Sequence, residues 1–233
     1  MTIDKFPPQK DLPDQIDTQY DQMGRKYIAA READANSEII HPSVLYIRNN
    51  LKESQGKYLV DVACGGGEDL MAYRALGFAK AVGVDPSIVM VEAAHKKIGD
   101  DTAAELGKWT QLPFPNGSQD YLVGRSSIHY EEDLDTAYRE AARVLKPGGK
   151  LILIVAHPEK AKNREIIKKG DREYVHDKVF HNQVAITYPR HEMEEYFSET
   201  FQELFELEDR IDVMKERARG IEPDQMGFFA RRR

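Results

Sequence analysis

Two carboxylates bracket a glycine cluster in this chain, in the run Tyr58-Leu-Val-Asp61-Val-Ala63-Cys-Gly65-Gly-Gly67-Glu68-Asp69-Leu70 and the later Ala81-Val-Gly-Val-Asp85. The first run reads as a buried strand, then a tight glycine turn, then a helix start. The second is a short apolar strand that ends on an acid. Asp85 stands eighteen residues after Gly67, close to the roughly 20 expected of an acid at the tip of a second strand that holds a ribose. The types and spacing therefore point to a nucleoside site.

The ligand's charge follows from what surrounds the turn. A dinucleotide fingerprint needs a third glycine, at the sixth place of G-x-G-x-x-G; counted from Ala63, that place holds Glu68. Glu68 and Asp69 at the helix start complement the macrodipole but repel a pyrophosphate that needs the same helix end. With Asp61 in the strand, they suit a cationic or zwitterionic ligand, and S-adenosylmethionine carries an ammonium, a carboxylate and a sulfonium. A nicotinamide-dependent oxidoreductase is disfavoured on the same grounds. His129, in Arg125-Ser126-Ser-Ile-His129-Tyr130, has an unperturbed pKa of about 6.5, suited to a general base or an acceptor-orienting group; its plainer reading is a histidine behind the cofactor wall.

The elements that must position these residues alternate. Strands are expected at 57–63, 80–85, 104–108 (weak), 119–124 and 149–156, with helices at 67–76, 87–98 and 133–145 between them. Such alternation implies a parallel sheet with helices on both faces. Asp133 can cap helix 133–145; Leu134, Ala137, Ala141, Val144 and Leu145 line one face, and Pro147-Gly148 stops it. Upstream, residues 1–13 look irregular, with Pro7, Pro8 and Pro13; 14–35 is helix-compatible, and His41-Pro42-Ser43 opens a helix ending near Gly56. After Ala156 comes a polar, partly helical stretch, an alternating run Val179–Tyr188, a helix at 190–199, and strand-like Phe201–Leu207 and Met226–Ala230.

The motifs resemble those of the class I S-adenosylmethionine-dependent methyltransferases, whose first motif runs D-x-G-x-G-x-G. Gly83-Val-Asp85-Pro86-Ser87 with Met90, Leu112-Pro-Phe-Pro-Asn-Gly-Ser-Gln-Asp120-Tyr-Leu-Val, and Arg143-Val-Leu-Lys-Pro-Gly-Gly149 look like the later motifs, in order over residues 58–156. The resemblance implies an α/β fold: a Rossmann-like, seven-stranded, mostly parallel sheet with an N-terminal helical cap and an insertion after strand five. One domain, 1–233, then comprises the cap (1–56), cofactor-binding core (57–156), active-site cover (157–199) and C-terminal strands (200–233). It also implies S-adenosyl-L-methionine as cofactor and S-adenosyl-L-homocysteine as product. The expected reaction is methyl transfer to an O or N atom of a small molecule, the alternatives being a peptide or protein acceptor or a non-catalytic cofactor-binding scaffold.

Carried over residue by residue, Asp85 takes the ribose hydroxyls, with Pro86 and Met90 beside it. Asp61, Ala63, Gly65 and Gly67 lie under the amino-acid tail, and Ala63 replaces the motif's first glycine. In Gly107-Lys108-Trp109-Thr110, Lys108 stands where many members have an acid that binds the adenine amino group. Backbone groups and stacking on Trp109 would then hold the adenine; the plain alternative for Trp109 is a core aromatic. Arg125 and Ser126 follow strand four. Tyr20, Tyr27 and Arg31 fold over the methionine end or, for the tyrosines, simply pack in the core. Tyr130, His157 and Tyr188 are candidate acceptor contacts, and His181 and His191 share the covering insertion.

Composition sets outer bounds. At 233 residues and 41% apolar content, the chain can bury one sizeable core. A net charge of −7 argues against nucleic acid as partner; Arg231-Arg232-Arg233 reads as a solvated end. One cysteine excludes a disulfide framework, and no spacing calls for a metal. The longest apolar stretch, Leu151 to Ala156, is too short to span a bilayer. The expectation is a cytoplasmic monomer or homodimer with no membrane partner. Within the insertion, Lys160, Lys162, Arg164, Lys168, Lys169, Arg172 and Lys178 are interleaved with five carboxylates, which reads as a solvated mixed-charge helix face rather than an anion site.

Overall fold

The computed structural model describes residues 19–35, 41–179, 183–217 and 220–233; the irregular segment 1–13, the first turn of the helix expected from 14, and His181 lie outside them. Strands β1 (Tyr58–Val62), β2 (Lys80–Asp85), β3 (Ala104–Leu106), β4 (Gln119–Arg125) and β5 (Leu145–Ala156) pair in parallel. A three-stranded insert follows, β6 (Glu165–Lys169), β7 (Arg172–Val179) and β8 (Val184–Pro189), then β9 (Phe205–Arg217) and β10 (Gly220–Arg232). The main sheet runs β3-β2-β1-β4-β5-β10-β9, with β10 antiparallel to both neighbours. This is the expected seven-stranded, Rossmann-like, mixed sheet. β1 lies at the reversal of strand order, where the crevice for a ligand opens.

The sheet is buried on both faces because its parallel strands are apolar at nearly every position. Val60, Val62, Leu122 and Leu153 face α5 (Leu134–Val144) and α7 (Glu199–Leu204). Leu59, Tyr121, Val123 and Ile154 face α2 (Pro42–Asn50) and α3 (Glu68–Arg74). The strand period of two puts alternate residues of β1 into opposite cores. α5 is capped as expected, Asp133 accepting the Thr136 N–H at 3.1 Å, and its predicted apolar face is buried. It ends at Val144 because β5 begins at once.

α1 (Gln19–Ala35) kinks at Gly24, whose backbone is not helical. A Cβ there would lie 2.8 Å from Val89 Cγ1, so glycine lets α1 lie against α4 (Ile88–Ile98). Its other side packs on the insert through a small core of Ala30, Val175, Val184, Ile186 and Tyr188. The Gln19 side chain bonds both backbone groups of Thr187, Nε2 donating at 2.9 Å and Oε1 accepting at 3.0 Å. Cap and insert thus form one roof.

Three expectations are corrected. The stretch after Ala156 is helical only in a short 3₁₀ segment, Pro158–Asn163, and its charges then lie on β6 and β7 rather than on a solvated helix face. Gly170, at positive φ, permits the tight β6–β7 turn. The mixed charges pair across strands or inward: Lys168 faces Glu173 across the hairpin, and Arg164 and Lys160 converge on buried Asp177 at 2.6 and 2.8 Å. The helix expected at 190–199 is split into α6 (Met193–Tyr196) and α7 by Ser198, whose hydroxyl caps α7, so Phe201 is helical. The terminal arginines are not a free solvated end. Arg231 pairs with Glu206 and Glu208, and Arg232 and Arg233 donate to the carbonyls of Leu145 and Gln202. Among the described residues, no helix is long and apolar enough to cross a membrane.

Gly124 of β4 offers a test of this packing. An added Cβ would sit 2.3 Å from Trp109 Cζ2 and 2.8 Å from Ser127 Oγ. Gly124→Ala should lose about 1–3 kcal/mol of stability, the usual range for overpacking, and shift the emission of the chain's one tryptophan; denaturation followed by fluorescence reads both.

Candidate nucleoside site

The glycine turn is built from left-handed residues: Ala63, Gly65 and Gly67 have φ of 61°, 56° and 84°. Alanine tolerates this region poorly and glycine freely, so the substitution at 63 leaves the path of the turn intact at some local strain. Gly65 has nothing within 4 Å of where its Cβ would stand, leaving its backbone open to a ligand. Gly67 serves packing instead: its Cβ would meet Ala94 Cβ at 3.2 Å, so it lets α3 and α4 approach.

Asp85 closes the turn from the tip of β2. Its Oδ2 accepts the Gly65 N–H at 2.9 Å and its Oδ1 accepts the Ser87 N–H at 3.0 Å. Burial nonetheless pushes the carboxyl up to about 6; the two N–H groups oppose this, and nearby Asp21 adds to it. Asp61, at 3% exposed, has an Oδ2 with no hydrogen-bond partner. Burial raises its pKa as well, Asp69 raising it further against the pull of Arg125 and Arg31. Those arginines converge on Asp69 Oδ2, Arg125 Nε at 2.6 Å and Arg31 Nη2 at 3.1 Å. Two of the local cations are therefore already satisfied, while Asp61 still lacks a donor.

These groups open onto a cavity of about 380 Å³, within the range of roughly 300–1,000 Å³ usual for small-ligand sites. Its floor includes Asp61, Ala63, Gly65 and Asp85, its side Pro86, Met90, Lys108 and Trp109. Tyr20, Tyr27 and Arg31 of α1 and Arg125, Ser126 and Tyr130 after β4 also line it. The Tyr20 hydroxyl donates to that of Tyr130 at 2.6 Å, joining the two walls. For Tyr20 and Tyr27 the packing and cofactor-facing readings coincide. Trp109 is likewise both, a cavity wall and a 2%-exposed core residue whose Nε1 donates to Ser127 Oγ.

Other expected residues fall elsewhere. Gly67 and Thr110 do not line the cavity. Nor does His129, the candidate base. Its Nδ1 accepts the Ala156 N–H at 3.4 Å, its ring packs against Tyr130 and Tyr188, and burial drives its pKa down to about 3. The ring thus packs behind Tyr130 and outside the cavity lining, away from where a base would meet an acceptor. His157 caps the turn at Glu159 N, His191 donates to the Glu131 carbonyl, and Tyr188 fills the roof core. The insert reaches the cavity through Tyr174, Thr187 and Pro189 instead. Sequence reasoning also missed Gln19, Asp69, Glu131 and Glu132; only Asp69, beside the glycine turn, carried a signal.

A mostly parallel sheet with a carboxylate at the tip of β2, a glycine turn at β1 and acidic cavity walls gives a Rossmann-like fold with a candidate nucleoside site. Residues 60–153 match a family model described as methyltransferase domain. A relative from Amycolatopsis mediterranei, 27-O-demethylrifamycin SV methyltransferase, is 32% identical over 103 residues, covering 42% of this chain and 38% of that protein. The chain thus spans under half the length of this curated relative. An S-adenosylmethionine-dependent methyltransferase structure from Mesorhizobium loti superposes with a TM-score of 0.65 at 20% identity, over 81% of this chain and 96% of the other. The [4+2]-cyclase SpnF superposes equally well, at 0.65 and 18% identity, over 91% and 95%; these likenesses show the fold. Over residues 60–153 the chain is thus similar to methyltransferase domains, and S-adenosylmethionine is the cofactor against which its cavity is weighed. The residues present fit it. Asp61 supplies an unpaired acceptor for an ammonium, the Asp85 oxygens keep lone pairs beyond their two N–H partners for ribose hydroxyls, and Gly65 leaves room beside its backbone.

The raised pKa of Asp85 gives a signed expectation. Its folded value of about 6 lies above the usual 3.8, so ionising it costs stability, and this cost disappears as pH falls from about 6 toward 4. Affinity for the nucleoside should move the other way, weakening below pH 6 as the carboxylate is protonated. Titrating S-adenosylhomocysteine binding against pH should show this step in the wild type and its loss in Asp85→Asn.

Proposed function

We propose that this chain binds S-adenosylmethionine and transfers its methyl group to an oxygen or nitrogen atom of a small molecule. The observation that carries this reading is Asp61 and Asp85 opening onto one roofed cavity beside an open glycine turn. When bound, the cofactor supplies an electrophilic methyl on sulfur. An acceptor lone pair would have to lie in line with that methyl, and any proton on the acceptor would leave to water or a cavity carboxylate.

The protein's part is positioning, which can supply up to roughly 7–11 kcal/mol of such a barrier. Asp85 fixes the ribose and Asp61 the ammonium. Arg31 and Arg125, both bonded to Asp69, keep the acidic floor in place. The roof, joined by Gln19–Thr187 and Tyr20–Tyr130, narrows the cavity and favours a compact acceptor over a polypeptide. The rifamycin relative's name supports a small acceptor. A non-catalytic scaffold is the second reading; Lys108, a cation where the resemblance leads one to expect an acid, speaks for it.

S-adenosylmethionine and S-adenosylhomocysteine at a hundredfold their dissociation constants should each stabilise the chain by about 2.7 kcal/mol, with NADH giving no shift. Asp85→Asn should weaken both at least about tenfold, the value of a charge-assisted hydrogen bond. Binding together with S-adenosylhomocysteine release on a panel of small alcohols, acids and amines supports transfer; binding without release on any of them favours the scaffold.

A further inference from the structure

We infer that the acceptor for this cavity is a small molecule carrying an ammonium group, anchored by the carboxylate of Glu132, on the loop after β4, and the ring of Tyr174, on β7 of the insert. The inference rests on the reading of the cavity as a methyl-transfer site and goes on to name the charge class of its acceptor.

Asp61 and Asp85, the acids read as holding the cofactor, come from β1 and β2. The insert adds Tyr174, Thr187 and Pro189 to the cavity lining, and Glu132 lines it from the core. The Tyr174 hydroxyl donates to the Glu132 carboxylate, so an acid and an aromatic ring stand together where the insert meets the core. Tyr174 belongs to the central strand of the insert, paired with Ile167 of β6 and Pro189 of β8, so its backbone is held from both sides.

The charges around the cavity leave no cation for an anionic acceptor. Arg31 and Arg125 are both held by Asp69, at 3.1 and 2.6 Å. Lys108 lies in the field of Glu131, whose carboxylate also accepts the Trp109 N–H. Glu132 has the opposite standing. It is exposed, its hydrogen-bond partner is a neutral phenol, and among the described residues it forms no ion pair. A carboxylate beside an electron-rich ring is a pairing that attracts an ammonium. The Tyr174 ring already takes one cation, Lys169 Nζ lying 4.9 Å from its centroid.

The Tyr174–Glu132 bond would equally serve as a plain latch between insert and core, and two substitutions separate the roles. Glu132→Gln keeps an oxygen to accept the Tyr174 hydroxyl and loses the charge. Tyr174→Phe breaks the latch and keeps both the ring and the charge.

The test begins with binding of S-adenosylhomocysteine to wild type and both variants by calorimetry. The complexes are then titrated with tert-butylammonium, tert-butanol and pivalate, which share a shape and differ in charge, and followed by ligand-observed NMR. Wild type should bind the ammonium about fivefold tighter than the alcohol, as a rim carboxylate and a ring face allow, and pivalate most weakly. Glu132→Gln should bring ammonium and alcohol within about twofold without changing S-adenosylhomocysteine affinity, and Tyr174→Phe should keep the preference. Amines in the acceptor panel, rather than alcohols or acids, should drive S-adenosylhomocysteine release by the wild type. Absence of the preference in wild type, its persistence in Glu132→Gln, or release driven by acids overturns the inference. Failure of wild type to bind S-adenosylhomocysteine overturns the cofactor reading first, and this assignment with it.

Discussion

The carboxylate of Asp85, held between the N–H groups of Gly65 and Ser87, is the contact on which the site depends. It ties the turn after β1 to the tip of β2 and the start of α4. Ser87 in turn caps α4 and accepts Asp21 as a neighbour, its hydroxyl donating to that carboxylate. One buried acid thus sets the turn, a helix start and the seat of α1. Burying it is unfavourable, as its raised pKa records.

Above that floor, the roof is assembled from chain segments far apart in sequence. Gln19 meets Thr187, Tyr20 meets Tyr130, and Ala30 packs against Ile186. The insert has little core of its own and depends on α1 to cover it. Its buried charge, Asp177, is neutralised by Arg164 and Lys160 from the preceding turn. The cavity wall and roof stability are therefore linked, since α1 contributes Tyr20, Tyr27 and Arg31 to the cavity while supporting the insert.

How much was legible from sequence varies with the range of the interaction involved. The glycine turn, Asp61, Asp85 and α5 depend on residues within a few positions of one another, and their signals survive in a linear reading. Arg31 and Arg125 were expected at the site and line its cavity, but their convergence on Asp69 was not foreseen, because three separate elements meet there. His129 misled because its position after β4 suggested the cavity. A histidine's chemistry depends on which way the ring turns, and here it turns into the core. The insert misled because interleaved charges fit a solvated helix and a cross-strand ladder equally well until pairing partners are known.

The amino-acid sequence by itself determined the sheet's strands, the glycine turn and the acids beside it, because local sterics, strand periodicity and charge are properties of short segments. Tertiary structure alone decided the roof, the withdrawal of His129, the anchoring of Arg231 to Arg233 and the arrival of Glu131 beside Trp109. Each of these depends on which distant surfaces exclude water together, and burial, which decides whether a side chain is a support or a reagent, is not written in its neighbours along the chain.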